Sequence, residues 1–552
     1  LAIASIYLFS SEMDNSFFEI YSSLFVILSS ALSFFIIIQG ALKYNQYIKS
    51  ETLACANFPN HNLASGFIII GIVITISFLL FKKNNDYFNI NNERFLIYRV
   101  ANLFLSNKFY LAVLSFIMII ALVFAFSRGA LMALLFSIVV ITAYKVRNTY
   151  KVLRAVIIFF IVLLLAFLLL PESYSTKWLT HKFFTPHGST RKIIWQTATR
   201  SFLDKPLTGW GPGNFEYAYH KFKMPNRFDN VRYGKYTRFA HNEYLQFAVE
   251  MGIPGIISFL WLALSILKLG YQKIKTVSSG DSNTLWRYAT SLSIVIAILL
   301  HSLFEFNLHF PIILFCFSFF TGFLLSSQKD TIEEKWIKFL RPLTLCAIIL
   351  CLSTLLSYLF SYRADRGLKL KNYNIAEKNY ELAVTLNPLD INLWKKLYYS
   401  GAIEEAENTL KSAIFFHPMD SFLYQNLART YLVKSRITDA FSQYKTALEL
   451  NPANPFFYSE LAETFYRKGW FDDSLAYFKK SYSVEPIFTF ARVRAGQIYL
   501  SKGNKKEALK EFNVSLKSEK ILMQNPYDNY TKNLVSYNYE TIRKKINEIS
   551  KK

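Results

Sequence analysis

Long hydrophobic runs in the first two thirds of this chain constrain its fold more than any other feature. They recur up to about residue 361. A helix that crosses a bilayer takes roughly 17–25 residues, which is about the length of most of these runs. Beyond Arg363 the sequence becomes mixed and amphipathic. Because 552 residues exceed one compact domain, we expect an all-α chain in which a polytopic membrane domain precedes a soluble domain.

The hydrophobic runs give ten candidate membrane spans. The chain begins with Leu1, inside an apolar run, so we expect an N-terminally truncated sequence whose first span is partial. The membrane domain is predicted to cover 1–361. Its candidate spans are 1–9, 20–42, 64–81, 109–126, 129–144, 153–170, 253–269, 287–304, 310–326 and 342–361.

The loops between these runs predict the topology. Lys and Arg concentrate in four short loops that fall on one side, and the positive-inside rule predicts that this side is cytoplasmic. Four other connections are then predicted to face outward: loop 43–63, the turn 127–129, the long loop 171–240 and the turn 301–309. The long loop is itself rich in arginine, which indicates an anionic ligand.

Charge and spacing exclude several function classes. The net charge of +24 does not indicate nucleic-acid binding, because most Lys and Arg residues flank hydrophobic runs, where they set topology. The four cysteines form no metal-ligand spacing. The pairs His181/His187 and His301/His309 form none either, so we predict no metal site and no cofactor.

The soluble part has an internal repeat. Residues 421–454 place aromatic and small residues at the offsets of a 34-residue tetratricopeptide unit, and shifting by 34 gives two further units. We predict a tetratricopeptide α-solenoid over 362–525 and a basic tail over 526–552. Such arrays have a concave binding face, which implies a protein partner or a spacer role. Since span 342–361 runs outward, the array is predicted to be extracytoplasmic.

His241 stands where the long loop re-enters the membrane. Asn242 is a good N-cap for a helix that begins at Glu243. The stretch 252–255 would end this short helix and start the next span, with Pro254 in its first turn. A histidine just outside the positive end of a helix tends to stay neutral, as a general base needs. His241 is thus a candidate catalytic residue; the alternative is a histidine that only anchors the interface.

Two arginines are candidate phosphate ligands. Arg128 lies between two apolar runs with almost no loop, where an arginine is costly unless it pairs or binds. Its guanidinium matches phosphate oxygens, although a snorkelling helix-end arginine is the alternative. Arg191 and Trp195 are four residues apart and share a face of a predicted helix. The following stretch, 206–214, has glycines typical of a tight turn and no Walker motif.

Taken in order, these pieces resemble the O-antigen ligase/polymerase family of bacterial membrane glycosyltransferases. The resemblance covers roughly 55–326. The matching segments are 57–62, 127–129, 191–195, 206–214 and 241–252, and 301–311 resembles a later motif of the branch with tetratricopeptide tails.

The resemblance implies transfer of a glycan from an undecaprenyl-pyrophosphate carrier at the periplasmic face of the bacterial inner membrane. The acceptor is lipid A-core in ligases, a growing glycan in polymerases, and a protein Ser or Thr in O-oligosaccharyltransferases. The repeats make a protein acceptor or partner more plausible here. A non-catalytic membrane-anchored scaffold for envelope assembly is the alternative from another class.

The mechanism expected from these residues needs no metal. Arg128 and Arg191 would hold the pyrophosphate and neutralise charge on the leaving group. His241 would deprotonate the acceptor hydroxyl. The supporting residues are predicted to be Trp195, Gly209, Gly211, Asn242, Glu250 and His301.

Overall fold

The regular structure is helical throughout the described residues, which confirms the predicted all-α class. A computed structural model describes 15–42, 58, 60–81, 107–125, 127–146, 149–168, 189–226, 231–234, 236–277, 281–325, 334–401, 403–523, 529–534 and 539–550. The predicted partial span 1–9, most of loop 43–63 and residues 171–188 lie outside these ranges.

The first part of the chain forms apolar helices that agree with the predicted spans. Five of them, within the described residues, are long and apolar enough to cross a membrane: Phe18–Gly40, His61–Phe81, Arg128–Lys145, Glu243–Thr276 and Ser282–His301. Shorter apolar helices are Lys108–Phe124, Val152–Leu165 and Pro311–Leu325. The predicted last span, 342–361, lies within the helix Glu334–Lys369.

Packing differs strongly among these helices. His61–Phe81 is apolar all round and almost wholly buried, as expected for the centre of a bundle. A Cβ on Gly71 would lie 2.3 Å from Ser29, so two helices pack closely at small residues there. The helix Thr149–Leu168 instead exposes large apolar side chains such as Leu153 and Ile158. Surfaces of this kind require an apolar surrounding such as lipid.

The helix Glu243–Thr276 is broken at Gly252, as the sequence predicts. Gly252 has φ 66° and ψ −163°, a conformation that interrupts the helix and favours glycine. Asn242 caps the first segment, and its side chain accepts the N–H of Leu245 at 3.0 Å. The second segment starts near Pro254, which needs no N–H partner in a first turn.

The second part of the chain is an array of helix pairs, which confirms the repeats. Three pairs begin at Ser421, Pro455 and Thr489, 34 residues apart. Equivalent aromatic side chains Tyr444 and Phe478 are both essentially fully buried. The helices of the array are Tyr373–Leu386, Ile391–Ser400, Ile403–Phe416, Ser421–Val433, Ile437–Leu450, Pro455–Arg467, Phe471–Val484, Thr489–Ser501 and Lys505–Met523, with Asn529–Leu534 and Tyr539–Ser550 beyond them.

The chain divides into two compact units. The first comprises 1–188, 206–209 and 239–347, and holds most of the apolar helices. The second comprises 189–205, 210–238 and 348–552, so it contains the repeats together with the helices Ser189–Asp204 and Phe215–Phe222. The domain limits 1–361, 362–525 and 526–552 stay predictions.

Candidate active site

Several helix ends of the first unit meet at the turn that follows His301. The N–H of Glu243 donates to the carbonyl of Ser302 at 2.9 Å. A Cβ on Gly66 would lie 3.1 Å from His301 Nδ1. A Cβ on Gly129 would lie 3.1 Å from the side chain of Phe304. The starts of three helices therefore pack on one turn, and the predicted site residues Arg128 and His241 lie at this end of the unit.

His241 is held by a buried carboxylate. Its Nδ1 lies 2.5 Å from Oε1 of Glu305. The Glu305 side chain is fully buried, whereas that of His241 is 27% exposed. A carboxylate bonded to one ring nitrogen fixes the orientation of the imidazole and leaves the other nitrogen for proton exchange. In His241 that other nitrogen is Nε2.

The backbone around His241 is strained and braced. His241 has φ 50°, in the left-handed region that residues other than glycine rarely occupy. The N–H of Ala240 donates to Gln246 Oε1 at 2.7 Å, and Gln246 Nε2 donates to Glu250 Oε1 at 2.8 Å. Glu250, predicted as a supporting residue, therefore acts through Gln246 on the residue before His241.

Two glycines bring backbone segments together behind the site. The N–H of Ile253 donates to the carbonyl of Pro206 at 2.7 Å. A Cβ on Gly209, which has φ 66°, would lie 2.3 Å from the Glu250 carbonyl oxygen. A Cβ on Gly252 would lie 2.7 Å from the Pro206 carbonyl oxygen. The segment 206–209 thus supplies an acceptor where the helix is broken, and only glycine fits the closest approaches.

A second histidine–glutamate pair lies in the same turn. Glu243 Oε2 lies 2.9 Å from Nδ1 of His309, and Glu243 Oε1 accepts the backbone N–H of Leu308 at 2.5 Å and of His309 at 3.2 Å. Burial lowers the pKa of His309, but hydrogen bonding and charge from Glu243, with the charge of Glu250, outweigh it. The net pKa of His309 is therefore raised, which favours the charged pair.

Stacked aromatic rings connect the two pairs. Phe239 and Phe306 stack with centroids 4.0 Å apart. Phe306 meets the ring of His241 edge-on at 5.2 Å, and Phe239 meets the ring of His309 edge-on at 5.6 Å. The rings limit the freedom of both imidazoles and lower the local dielectric constant, which strengthens the hydrogen bonds between each histidine and its glutamate.

The predicted site residues are divided between the two units. Arg128 is half-buried as the first residue of its helix, and His301 is buried as the last residue of its own helix. Arg191 and Trp195, both half-buried, belong to the second unit, as does Gly211 with φ 94°.

Sequence reasoning missed the carboxylates. Glu305 and Glu243 are fully buried partners of histidines, and neither was predicted as a site residue. The signal was an acidic residue within an apolar stretch, where an ionisable group is costly unless it is paired. In the described part of the chain, no three His, Cys, Asp or Glu side chains converge as a metal site would require.

Comparison with known proteins agrees with these motifs. Residues 113–260 match the family described as O-antigen ligase. A protein of Rickettsia conorii, provisionally named a polysaccharide ligase, is 28% identical over 98 residues, which are 18% of this chain and 23% of that protein. The matched stretch is thus less than a quarter of that relative's length.

Solved structures resemble part of the chain. MamA of Desulfovibrio magneticus is 13% identical, with a TM-score of 0.27 over 30% of this chain and 96% of that chain. A thermophilic tetratricopeptide protein of Thermus thermophilus is 19% identical, with a TM-score of 0.25 over 36% of this chain and 100% of that chain.

The family match includes Arg128, His241 and the break at Gly252. The helix pairs that follow repeat every 34 residues. Residues 113–260 therefore resemble the O-antigen ligase family, and a tetratricopeptide repeat array follows the apolar helices.

Proposed function

We propose that this protein is a membrane glycosyltransferase that moves a glycan from undecaprenyl pyrophosphate to an acceptor hydroxyl. The observation that carries the proposal is His241 bonded to the fully buried Glu305 at the end of a membrane helix unit. A histidine oriented by a buried carboxylate is suited to general-base catalysis. The O-antigen ligase match supplies the reaction class.

In the proposed step, His241 Nε2 takes the proton of the acceptor hydroxyl. The acceptor oxygen then forms a bond to the anomeric carbon of the glycan. The bond from that carbon to the phosphate oxygen breaks, and undecaprenyl pyrophosphate leaves with the electron pair. Glu305 stabilises the imidazolium that results, because its carboxylate lies 2.5 Å from Nδ1.

Negative charge grows on the leaving pyrophosphate, so the site needs positive charge. Arg128 begins the helix Arg128–Val146, where the helix dipole also favours an anion. Its neighbour Gly129 packs on Phe304, the residue before Glu305. We assign Arg128 to the pyrophosphate on this basis. Arg191 is assigned the same role from its motif.

The topology predicted from basic loops places this reaction on the periplasmic side of the bacterial inner membrane. The acceptor in this proposal is lipid A-core, a growing glycan or a protein. The repeat array supports a protein partner, because stacked helix pairs present an extended binding surface.

His241→Ala should reduce glycan transfer by about 100-fold or more, the usual contribution of a general base. Transfer is measured with purified protein and lipid-linked donor, after membrane insertion and thermal unfolding have been compared with wild type. His417→Ala, which changes a histidine of the repeat array, is the control.

Retained transfer by purified His241→Ala would contradict the proposed role. Surface glycans that survive both His241→Ala and Arg191→Ala but disappear when 387–520 are deleted would indicate the scaffold function instead.

A further inference from the structure

The second unit contains a cleft between its loop segment and its repeats. The helix Phe215–Phe222 lies against the repeat helix Ile437–Leu450. Beside this contact lies a cleft of about 490 Å³. It is lined by the helix Phe215–Phe222 and Lys223, by residues 233, 234, 236 and 238, by Lys395 and Phe422 of the repeats, and by residues 451, 453 and 454. Cavities of roughly 300–1,000 Å³ are the size of small-ligand sites. Neither the histidine–glutamate pairs nor the proposed transfer step uses this cleft.

The loop wall of the cleft is tied to the repeats by a buried carboxylate. Glu485 is fully buried, and its side chain accepts the backbone N–H groups of Arg232, at 2.9 Å, and of Tyr233. Lys223 Nζ donates to the carbonyl of Tyr233 at 2.5 Å. Breaking this arrangement would leave buried polar groups without partners, which is costly. The wall is therefore preformed, which lowers the entropic cost of binding a ligand.

Two of the cations that line the cleft are already paired with carboxylates. Arg238 Nε lies 3.2 Å from Glu216, and Lys395 Nζ lies 3.0 Å from Asp420. Burial raises the pKa of Glu216, but the hydrogen bond from His220 and the charge of Arg238 outweigh burial and lower it overall. A pyrophosphate would have to displace carboxylates from these cations. The charge pattern therefore favours a neutral ligand.

The remaining lining offers rings and amides. Tyr236 is 64% exposed and Phe422 is 39% exposed. Asn451 and Asn454 also line the cleft, and Asn454 Oδ1 accepts the backbone N–H of Phe456 at 3.0 Å, which fixes the Asn454 side-chain amide. Sugar rings present C–H faces that pack on aromatic side chains and hydroxyl groups that bond to amides and carboxylates.

We propose that this cleft binds a neutral oligosaccharide segment of the glycan, as a site separate from the histidine–glutamate centre. The choice of a glycan rests on the proposed function, whereas the preference for a neutral, hydroxyl-rich ligand rests on the cleft itself. A saccharide uses all three features of the lining: exposed rings, side-chain amides and paired charges. An apolar peptide side chain would leave the amides and ion pairs of the lining desolvated without new partners.

The test measures binding of a defined probe to the purified full-length protein. The probe is the repeat-unit oligosaccharide released by mild acid from the lipid-linked glycan of the producing bacterium, freed of phosphate and labelled with a fluorophore. We expect Tyr236→Ala and Phe422→Ala to weaken its binding at least tenfold. The matched control is Phe415→Ala, because Phe415 is 79% exposed on the repeats and does not line the cleft.

Three outcomes overturn the proposal: no binding of the oligosaccharide by wild type, equal weakening by Phe415→Ala, or unchanged binding by both cleft variants. Displacement of the bound probe by peptides, with no displacement by unlabelled oligosaccharide, would assign the cleft to a protein partner and also overturn the proposal. Because Phe422 contacts Phe457, Tyr236→Ala provides the variant least coupled to folding. Failure of the transfer proposal is seen separately, since His241→Ala should lose transfer but keep oligosaccharide binding.

Discussion

The two histidine–glutamate pairs at the end of the membrane unit contain the same groups but differ in their connections. In both, the carboxylate is fully buried and the histidine side chain is about a quarter exposed, 27% for His241 and 28% for His309. Glu243 also accepts two backbone N–H groups, so it ties the turn to the helix start. Glu305 instead contacts the ring of His241, whose backbone is strained. A histidine–glutamate pair can therefore either orient a general base or stabilise a turn.

Glu305→Gln gives the largest expected effect on glycan transfer. The amide cannot stabilise an imidazolium, and its NH₂ group can face Nδ1 and so select the wrong tautomer. We expect kcat for glycan transfer to fall about 100-fold, equivalent to ~2.7 kcal/mol in the barrier. The measurement is single-turnover transfer with purified protein. Glu243→Gln is the matched control, with its rate corrected for the folded fraction.

The comparison would be reversed if Glu243→Gln abolished transfer while Glu305→Gln retained it. That result would assign the base to His309 and leave His241 a structural role.

Glu243→Leu tests whether Glu243 stabilises the turn that contains Leu308 and His309. It removes the acceptor of two backbone N–H groups, those of Leu308 and His309, in a buried position. Each buried donor left unpaired costs about 1–3 kcal/mol, so the loss of an acceptor for two donors should lower the free energy of unfolding by ~2–6 kcal/mol. The loss is measured as a lower Tm in detergent. Glu305→Gln should shift the Tm less; an equal or larger shift would contradict the difference between the pairs.

Local patterns explain what the sequence could predict. The 34-residue repeat, the cap at Asn242 and the break at Gly252 each depend on residues close in sequence, and the structure confirms all three. The helices of the membrane unit were predictable for the same reason, since hydropathy is a property of each segment. The ends of these helices were less predictable, since the predicted span 287–304 corresponds to the helix Ser282–His301.

The pairings within the candidate site could not be predicted in this way. His241 and Glu305 are 64 residues apart, and Glu243 and His309 are 66 apart, so their contacts depend on how helices pack. The expectation that His241 is neutral considered only its position outside a helix end. The structure adds the carboxylate of Glu305, which lies 2.5 Å from His241 Nδ1 and which no local pattern indicated. The roles of Arg128, Arg191 and His241 stay predictions.

The smallest expected effect is a pH dependence of stability that comes from the Glu243–His309 pair alone. The pKa of His309 is raised above its ordinary range because Glu243 outweighs burial. A raised histidine pKa contributes stability that is fully present below the unfolded pKa, about 6.5, and is lost as pH rises through the folded pKa. His309→Asn keeps a donor group without titrating in this range. The Tm difference between wild type and His309→Asn should therefore shrink as pH rises through neutrality. A difference that stays constant with pH would mean that the Glu243–His309 contact gains nothing from the histidine's charge, and that only its backbone hydrogen bonds fasten the turn.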